Sequence, residues 1–298
     1  MFNEELQSYD VIAYESEEDG ILKEILLNKL KFSVRAISKM KRYKTINVNG
    51  DFRKLNTEIK KGDLITVKID EEKSEFKSQD LGLNIIYDDF DIIVVDKPAN
   101  MVVHPTKSHS DTTMANGVTH YIEEKGYKVK IRFVNRLDMN TSGLVIVAKN
   151  AYAHYTLSES MKSDFFKKKY IAIVKGIVKD DEGIINEPIY RTSDDSIKRV
   201  VDERGQESIT KYKVIERLND ATMLELELLT GRTHQIRVHL SHIGHGIIGD
   251  ELYGYYDENL FKRQALHAYS LEFEQPRTKK ELKFKSEIPE DIKELIEK

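Results

Sequence analysis

The chain has 298 residues, of which 40% are hydrophobic and 33% charged, and its formal net charge is −4. That length is sufficient for two domains, and the composition is typical of a globular protein with a well-solvated surface. Because the sequence contains no cysteine, disulfide frameworks, cysteine-ligated zinc, iron–sulfur clusters and thiol catalysis are excluded.

The sequence also gives no sign of membrane insertion or secretion. No apolar run approaches the roughly 18 residues that a membrane-spanning helix needs. The polar and acidic start, MFNEELQSYD, does not resemble a secretory signal. We therefore expect a cytoplasmic protein with no membrane partner.

Charge is distributed unevenly along the chain. Residues 1–19 carry seven carboxylates and no basic side chain, whereas residues 20–70 carry 13 Lys or Arg and 5 Asp or Glu, a local charge of +8 (13 − 5). Polyanion binding depends on local potential rather than on net charge. We interpret 1–19 as an acidic N-terminal segment and 20–70 as a basic unit that binds a polyanion; the alternative is an ordinary solvated face.

The basic unit begins with two predicted helices. Leucine and isoleucine at helical spacing predict a short amphipathic helix over 21–30, and Ser33 is a suitable N-cap for a second helix that extends to about residue 42. Basic side chains form a stripe on the second helix at i, i+4 and i+7: Arg35, Lys39 and Arg42. The apolar positions expected to face the core are Val34, Ile37 and Met40.

A small sheet follows these helices. Asn49-Gly50, after apolar Ile46 and Val48, predicts a hairpin with a type I′ turn, and the alternating segment LITVKI predicts a further strand. Two helices, a small sheet and a cationic helix face resemble the S4-type RNA-binding domain over about 50 residues, on the segments SVRAISKMKR, INVNGD and KKGDLITV. A small α+β domain with a lysine-rich exterior remains the alternative.

Residues 71–80, EEKSEFKSQD, are predicted to be a linker, and residues 81–298 a second, larger domain. Its first strands are expected around Ile85-Ile86 and in DIIVVDKP, and a helix over 112–125 that starts from Asp111 or Thr112. Polar turn residues at 140–143 then lead the chain into the apolar strand LVIVA.

Asp138 is the principal catalytic candidate, because it lies on this polar turn, where a rigid scaffold can present a reactive side chain. An aspartate of ordinary pKa is an anion at neutral pH and can act as a nucleophile or a base. Arg136, two positions earlier, shares its side of an extended loop and could hold the carboxylate by charge-assisted hydrogen bonds. An Asx-turn or a surface ion pair is the structural alternative.

The segment NRLDMNTSGLVIVAKN resembles the catalytic-loop signature of the RluA-type pseudouridine synthases, H-R-L-D-x-x-T-S-G. The resemblance extends from about Ile85 to about Phe273 through VVDKPANMVVHPT, KKYIAIVKG, LLTGRTHQIRVHLSHIGHGIIGDELYG and ALHAYSLEF. Many members of that family carry an N-terminal S4 domain. Asn135 stands where the family usually has histidine, a departure that bears on the subfamily and on local loop contacts.

This resemblance implies an enzyme that converts uridine to pseudouridine within RNA and needs no cofactor, because the reaction is an isomerisation. Asp138 would be the essential carboxylate, acting either as a covalent nucleophile or as a base that removes a sugar proton. Tyr170 would pack against the base and serve in removing the C5 proton. Arg237 would pair with Asp138, and Arg136 would help to occupy the space that the target base leaves.

The residue patterns are compatible with these roles. Tyr170 lies in an alternating strand, where a core tyrosine is the alternative. Arg237 lies at the margin of the buried face of a helix that includes Ile236 and Leu240. Arg232 is predicted to lie in the first turn of that helix, suited to phosphate or loop contacts.

Two further motifs are rejected as sites. The residues 244–249 match G-x-G-x-x-G, but no βαβ unit surrounds them, so we expect no dinucleotide. Four histidines lie close together in sequence, but on a helix they would not converge on one ion, so we expect no metal: His234, His239, His242 and His245.

We therefore predict an α+β protein: a small S4-like module and a pseudouridine-synthase-like catalytic domain, for which the resemblance implies a large, mostly antiparallel mixed sheet. The leading hypothesis is a monomeric uridine isomerase that acts on structured RNA, with large-subunit ribosomal RNA as the expected partner. The alternative is a non-catalytic RNA-binding or ribosome-assembly factor that retains the synthase fold. A glycosidase-like hydrolase is disfavoured because no second carboxylate motif stands out.

Overall fold

The computed structural model describes residues 1–69, 72–106, 109–193 and 195–297. Within these residues a small N-terminal unit precedes a larger unit built on a ten-stranded sheet. The helices are α1 (Leu22–Glu24), α2 (Val34–Tyr43), α3 (Met114–Glu124), α4 (Ala151–Ser160), α5 (Gln235–His242) and α6 (Glu290–Glu297). The strands are β1 (Val11–Glu15), β2 (Gly20–Ile21), β3 (Ile46–Val48), β4 (Asp51–Phe52), β5 (Glu58–Ile59), β6 (Leu64–Lys68), β7 (Asn84–Asp88), β8 (Ile92–Lys97), β9 (Arg132–Phe133), β10 (Ser142–Ala148), β11 (Lys167–Lys175), β12 (Glu182–Asn186), β13 (Ile189–Arg191), β14 (Arg199–Val201), β15 (Ile209–Arg217), β16 (Ala221–Leu228), β17 (Leu266–Glu274) and β18 (Glu281–Lys285).

The N-terminal unit contains a four-stranded sheet in the order β1-β6-β3-β4. The acidic segment, which the sequence analysis set apart, supplies β1, which pairs with β6. Asn49 and Gly50 connect β3 to β4 with φ values of 53° and 90°, the left-handed conformations that the predicted type I′ turn requires.

Both predicted helices of this unit are present. The first is α1, extended by a π-helical turn over Ile25–Lys29, and the second is α2, whose first turn is capped by the Ser33 hydroxyl, which accepts from the Ala36 amide at 3.2 Å. Ile37 and Met40 face the core as predicted, but Val34 is 70% exposed. The prediction for Val34 was wrong because the first turn of α2 extends past the core that the later turns cover.

The larger sheet has the order β12-β15-β16-β11-β17-β10-β8-β7, with β18 beside β17 and β9 beside β10. Its pairings in the described residues are antiparallel except for β10–β17, which is parallel, so the expected mixed, mostly antiparallel sheet is confirmed. Its central strands are buried on both faces: Ile93 and Val95 of β8 enter one core, and Ile92 and Val94 enter the other. This alternation follows from the two-residue period of a strand.

Helices cover both faces of the sheet. The apolar sides of α3, α5 and α6 pack into one core and that of α4 into the other. Helix α3 begins after the cap Thr113, and not after Asp111 or Thr112 as predicted, because Thr112 has a left-handed φ of 57°. In the described part of the chain, no helix has the length and apolarity to cross a membrane.

The segment before β7 lies along the larger unit. The amide of Ser74 donates to the Val129 carbonyl at 3.1 Å, and that of Gln79 donates to the Asn116 carbonyl at 3.3 Å. The predicted linker therefore contacts the larger unit over 72–80; its first residue, 71, lies outside the described residues.

A buried polar joint connects the two units. The guanidinium of Arg277 forms an ion pair with Asp91 at 2.8 Å, and both side chains are fully buried. The same guanidinium donates to the Gln7 side chain and to the carbonyls of Ser8 and Val11 in the N-terminal unit. Buried polar groups thus fix the small unit to the larger one.

Candidate active site

The turn that carries Asp138 is fixed to the sheet on both sides. Before it, the buried Asn135 side chain donates to the Leu144 carbonyl at 3.1 Å and accepts from the Ile146 amide at 2.8 Å. The turn itself closes where the Thr141 amide donates to the Asp138 carbonyl at 3.1 Å. Asn135, the residue that departs from the family signature, therefore forms hydrogen bonds with the backbone of β10.

A glycine allows the turn to enter β10 beside β17. Gly143 has a φ of 113°, and a Cβ atom there would lie 2.2 Å from the carbonyl oxygen of Ala268. These two residues face each other in the parallel β10–β17 pair. A side chain is excluded both by the conformation and by the close approach of the two backbones.

A buried lysine supports the same turn from β8. The ammonium of Lys97 donates to the carbonyls of Pro98 at 2.7 Å, Met101 at 2.9 Å and Met139 at 3.0 Å, so that three acceptors meet its three N–H groups. Burial lowers the pKa of Lys97 to about 7, and the Asp138 carboxylate opposes that shift. The lysine thus ties the residue after Asp138 to the start of the preceding loop.

Arg237 of α5 holds the Asp138 carboxylate. One of its terminal nitrogens donates to Asp138 Oδ2 at 2.9 Å, while its other two nitrogens donate to both oxygens of Asp250, at 2.7 and 2.8 Å. Burial alone would lower the pKa of Arg237, but the Asp250 carboxylate, followed by that of Asp138, raises it above its ordinary value. One permanent cation therefore lies between two carboxylates, of which Asp250 is buried and Asp138 is 28% exposed.

A tight loop after α5 presents Asp250. Gly249 has a φ of 78°, and a Cβ atom there would lie 1.9 Å from the Arg263 carbonyl oxygen. Asp250 Oδ1 also accepts from the amides of Leu252 and Tyr253, at 3.0 and 3.2 Å. These local bonds orient the carboxylate before Arg237 reaches it.

Tyr253 and His234 complete this side of the site. The Tyr253 ring centroid lies 5.1 Å from the Arg237 guanidinium. The Tyr253 oxygen accepts from the Arg199 amide at 2.7 Å and shares a hydrogen bond with His234 Nδ1 at 2.9 Å, while the other imidazole nitrogen, Nε2, faces Asp138. That nitrogen lies 3.9 Å from Asp138 Oδ2. Burial lowers the pKa of His234, and the Asp138 carboxylate raises it by a smaller amount.

Tyr170 is on β11, next to this cluster. The pairing of β11 with β17 shifts register between Lys169 and Ile171, and the extra residue is on β17, so Tyr170 lies opposite an irregularity of the kind that re-aims side chains near active sites. Its side chain is buried. Burial raises the pKa of Tyr170 above its ordinary range, and the nearby Asp138 carboxylate raises it further. The phenol is therefore protonated at neutral pH.

The structure does not bring Arg136 to Asp138. Arg136 is exposed, and its charge contributes to the lowered pKa of His104, after the larger effect of burial. In the described part of the chain the ion pairs of Asp138 are with Arg237 and His234. The hypothesis that Arg136 holds the carboxylate is wrong for this structure, in which Arg237 holds it instead.

Arg232 is also displaced from its predicted place. Helix α5 begins at Gln235, so Arg232 lies in the preceding turn and not in the first turn of the helix. Its Nε donates to the Glu207 carbonyl at 3.1 Å, and the side chain is exposed. The other predicted RNA-binding residues are exposed on α2, away from this turn: Arg35, Lys39 and Arg42.

Sequence reasoning missed four residues that shape the site: Lys97, His234, Asp250 and Tyr253. Lys97 and Asp250 belong to segments that carried the family resemblance, but their spacing from Asp138 gave no sign of contact. His234 had been considered only as a metal ligand. Among the described residues no group of three or more His, Asp or Glu side chains could hold a metal ion.

The arrangement provides a carboxylate anchored by a guanidinium, beside a buried phenol, on a turn that is open to solvent on one side. The anchor fixes the carboxylate while leaving it 28% exposed, as a group that must meet a substrate requires.

Comparison with known proteins relates this chain to a family. Residues 91–242 match the model of the RNA pseudouridylate synthase family. The chain is 41% identical over 254 residues to the uncharacterized RNA pseudouridine synthase YlyB of Bacillus subtilis, covering 84% of each chain. It is 38% identical over 265 residues to the ribosomal large subunit pseudouridine synthase D of Vibrio cholerae, covering 84% of this chain and 82% of that one.

A solved structure is similar as well. Human RNA pseudouridylate synthase domain containing 1 superimposes with a TM-score of 0.57 at 27% identity, covering 69% of this chain and 83% of that chain.

Proposed function

The chain belongs to the RNA pseudouridylate synthase family, and from that premise we propose that Asp138 is the catalytic carboxylate with which it isomerises uridine in structured RNA. The observation that carries this proposal is the Asp138–Arg237–Asp250 ion chain, which holds one partly exposed carboxylate beside the buried phenol of Tyr170. During the reaction the C1′–N1 bond breaks and a C1′–C5 bond forms, while a proton leaves C5 and another is gained at N1, so no cofactor is consumed.

The surrounding residues have distinct roles in this proposal. Arg237 keeps Asp138 in place, either for covalent attack or for proton removal from the sugar. Tyr170 packs against the base that has left the RNA stack, and, because its phenol is protonated beforehand, it accepts the C5 proton only by passing its own proton on. Arg136, exposed beside His104, fills the space that the base leaves.

We propose large-subunit ribosomal RNA as the substrate. The support is the similarity to the Vibrio cholerae protein whose name states a large-subunit activity. The protein would act as a monomer in the cytoplasm, where that RNA is made and assembled.

The N-terminal unit would add affinity for this RNA. Its basic stripe of Arg35, Lys39 and Arg42 is exposed along α2, and lysine and arginine on such a face contact phosphates. Arg232, exposed beside the larger unit's site, would contact the backbone closer to the target.

The test uses purified protein and transcribed large-subunit ribosomal RNA that carries tritium at C5 of uridine. We expect wild-type protein to release tritium and Asp138→Asn to lower the rate at least about 100-fold while it still binds RNA. Asp181→Asn, which removes an equally charged but 85% exposed carboxylate near the edge strand β12, is the matched control. Undiminished release by Asp138→Asn would refute the catalytic role of Asp138.

The same RNA, recovered after reaction, identifies the substrate. Carbodiimide-dependent stops of reverse transcription should appear at discrete uridines with the wild-type protein and be absent with Asp138→Asn. The absence of such stops from large-subunit RNA treated with the wild-type protein would contradict the proposed substrate.

A further inference from the structure

A cavity of about 370 Å³ lies beside the site, between the β13–β14 pair and the turn that precedes α5. Four arginines line it, and among the residues that the structure describes no carboxylate belongs to its lining: Arg191, Arg199, Arg204 and Arg232. In a protein of net charge −4, this concentration of guanidinium groups in one concave surface indicates an anionic ligand.

Two of these cations are held by carbonyl oxygens. Arg199 donates to the carbonyls of Ser196 at 2.7 Å and Ile197 at 2.9 Å, and Arg232 donates to the carbonyl of Glu207 at 3.1 Å. In the part of the chain that the structure describes, neither has a carboxylate partner within ion-pair distance. The carbonyls orient both guanidiniums without cancelling their charge.

Arg204 is oriented differently. It forms two bonds with Asp202, at 2.7 and 2.8 Å, and its guanidinium lies 4.5 Å from the ring centroid of Tyr190. Its charge is thus largely balanced, but its planar fork is held against an aromatic ring at the cavity wall, ready to donate its remaining N–H groups.

Hydrogen bonds link the residues that line the cavity to the candidate active site. The amide of Arg199 donates to the hydroxyl of Tyr253 at 2.7 Å, and that hydroxyl bonds His234, whose Nε2 lies 3.9 Å from the Asp138 carboxylate. Thr233, which lines the cavity, directly precedes His234. The nucleotides next to a uridine that reaches Asp138 would therefore lie near this cavity.

We propose that this arginine-lined cavity binds the phosphodiester backbone of the RNA strand next to the target uridine. The inference rests on the proposed function for the identity of the ligand, and it adds the place where the strand is gripped. Guanidinium forks match phosphate oxygens in bidentate geometry, and phosphate contacts set the register of a nucleic acid without reading its sequence. The cavity would therefore place the uridine, and recognition of the base itself would lie elsewhere.

The salt dependence of RNA binding tests the proposal. With a 12-nucleotide polyuridylate as the probe, we expect R199Q/R232Q to lower the slope of log K against log salt by about 1.4, at roughly 0.7 per phosphate on a single strand. The control is K280Q/K283Q, which removes two exposed cations from the β17–β18 hairpin. Equal slopes for the two double variants would overturn the proposal.

Arginine modification of the wild-type protein covers the case in which the double variant does not fold. Polyuridylate should protect Arg199 and Arg232 from phenylglyoxal, whereas Arg217, bound to Asp181 outside the cavity, should react equally with and without RNA. Unchanged reactivity of the cavity arginines would overturn the proposal.

Failure of the cavity and failure of the proposed function are distinguishable. Tritium release by wild-type protein, together with an unchanged salt slope and unprotected arginines, would refute only the proposed phosphate site in the cavity. A lowered slope without any tritium release would retain the phosphate site and refute the isomerase assignment.

Discussion

Asp138 depends for its position on an arginine that it shares with a second carboxylate. Of the two, Asp250 makes the bidentate contact and is completely buried, while Asp138 accepts a single bond. The buried pair with Asp250 therefore holds the Arg237 guanidinium in place, and the guanidinium in turn orients the Asp138 carboxylate. Asp250 touches no substrate in this scheme and is a positioning residue.

Removing the charge of Asp250 should consequently reduce catalysis more than binding. Asp250→Asn keeps the side-chain volume but leaves Arg237 with one carboxylate, so we expect kcat to fall about 100-fold, the order of effect of misplacing a reacting group by 1 Å. The Kd for RNA should remain unchanged, since Asp138 and the basic surfaces are intact. Single-turnover tritium release and RNA titration measure the two quantities.

Loss of a buried partner also costs stability, so the variant requires a folding control. Breaking a buried pair costs at most about 3–5 kcal/mol, less here because Asp138 still faces Arg237. Asp181→Asn, which breaks the exposed pair with Arg217, should change neither kcat nor thermal unfolding appreciably. An Asp250→Asn protein with wild-type kcat would show that the bidentate contact has no catalytic consequence.

His234 should give the reaction an acid limb. Its pKa is lowered by burial, with Arg237 and Arg199 acting in the same direction and the carboxylates of Asp138 and Asp250 opposing them. The imidazole is therefore neutral at about pH 6.5, the ordinary pKa of histidine, and becomes protonated only at lower pH. Its protonation then creates a cation 3.9 Å from Asp138 Oδ2. We expect the rate to fall as the pH drops below about 6.5, a range in which Lys97, with a pKa of about 7, remains protonated.

The variant His234→Gln separates this effect from other titrations. It removes the titrating group, so the acid limb should disappear from the pH profile of single-turnover rates, even if the plateau is lower. The same limb in wild type and His234→Gln would assign it to another group.

At the residue scale, the sequence identified Asp138, Tyr170 and Arg237 through a family signature, and the structure brings these three together. Local spacing suggested Arg136 as a partner of Asp138, whereas the family resemblance implied Arg237, 99 residues away, and the structure shows the pair with Arg237. Spacing along a chain predicts which residues share a local face, but a contact across the sheet depends on the topology. Asp250 could not have been predicted as the second partner for the same reason.

Gly143 controls how a whole element, β10, leaves the turn that carries Asp138. Gly143→Ala would place a Cβ atom 2.2 Å from the Ala268 carbonyl oxygen in a conformation that side chains disfavour, so β10 and β17 must separate. We expect a lower melting temperature and the loss of tritium release. Gly50→Ala is the matched control, since Gly50 also has a positive φ, 90°, but has no neighbour within 4 Å of the new Cβ atom.

Backbone strain alone costs about 1–2 kcal/mol, so the control should lose some stability but keep its activity. Equal activities for the two variants would mean that the close approach at β10–β17 does not position the turn.

Element boundaries followed the sequence where local chemistry sets them. The second helix begins after Ser33 as predicted, because its hydroxyl caps the first turn. The start of α5 was not predictable in this way, since His234, its N-terminal flanking residue, has a left-handed φ of 59° that no N-cap pattern announces. The sheet order was likewise implied only by the resemblance, because periodicity predicts strands but not their neighbours.

The Arg277–Asp91 pair operates at the scale of the whole molecule, because it joins the last hairpin of the chain, the larger unit and the N-terminal segment. We expect Arg277→Met to lower the free energy of unfolding by about 3–5 kcal/mol, the usual cost of leaving a buried charge unpaired. The N-terminal unit should then unfold separately, with faster amide exchange in β1 and β6 than in β10.

An exposed pair offers the comparison for this variant. Lys280 also bridges the units, through Glu4, but both side chains are more than half exposed, and such pairs contribute at most about 1 kcal/mol. Lys280→Met should therefore leave unfolding cooperative. Similar losses of stability in the two variants would contradict a special role for the buried joint.

The rigidity of that joint has a consequence for substrate choice. Arg277 holds the N-terminal unit at residues 7–11, and Phe32, just before α2, packs on Tyr152 of the larger unit with ring centroids 4.9 Å apart. The basic stripe and Asp138 are therefore held at a constant separation. If the stripe binds RNA as proposed, a uridine would be modified where the fold of the RNA places a second backbone segment at the matching distance from the target. Inserting base pairs between that backbone segment and the target uridine should abolish modification of the target without altering the sequence around it.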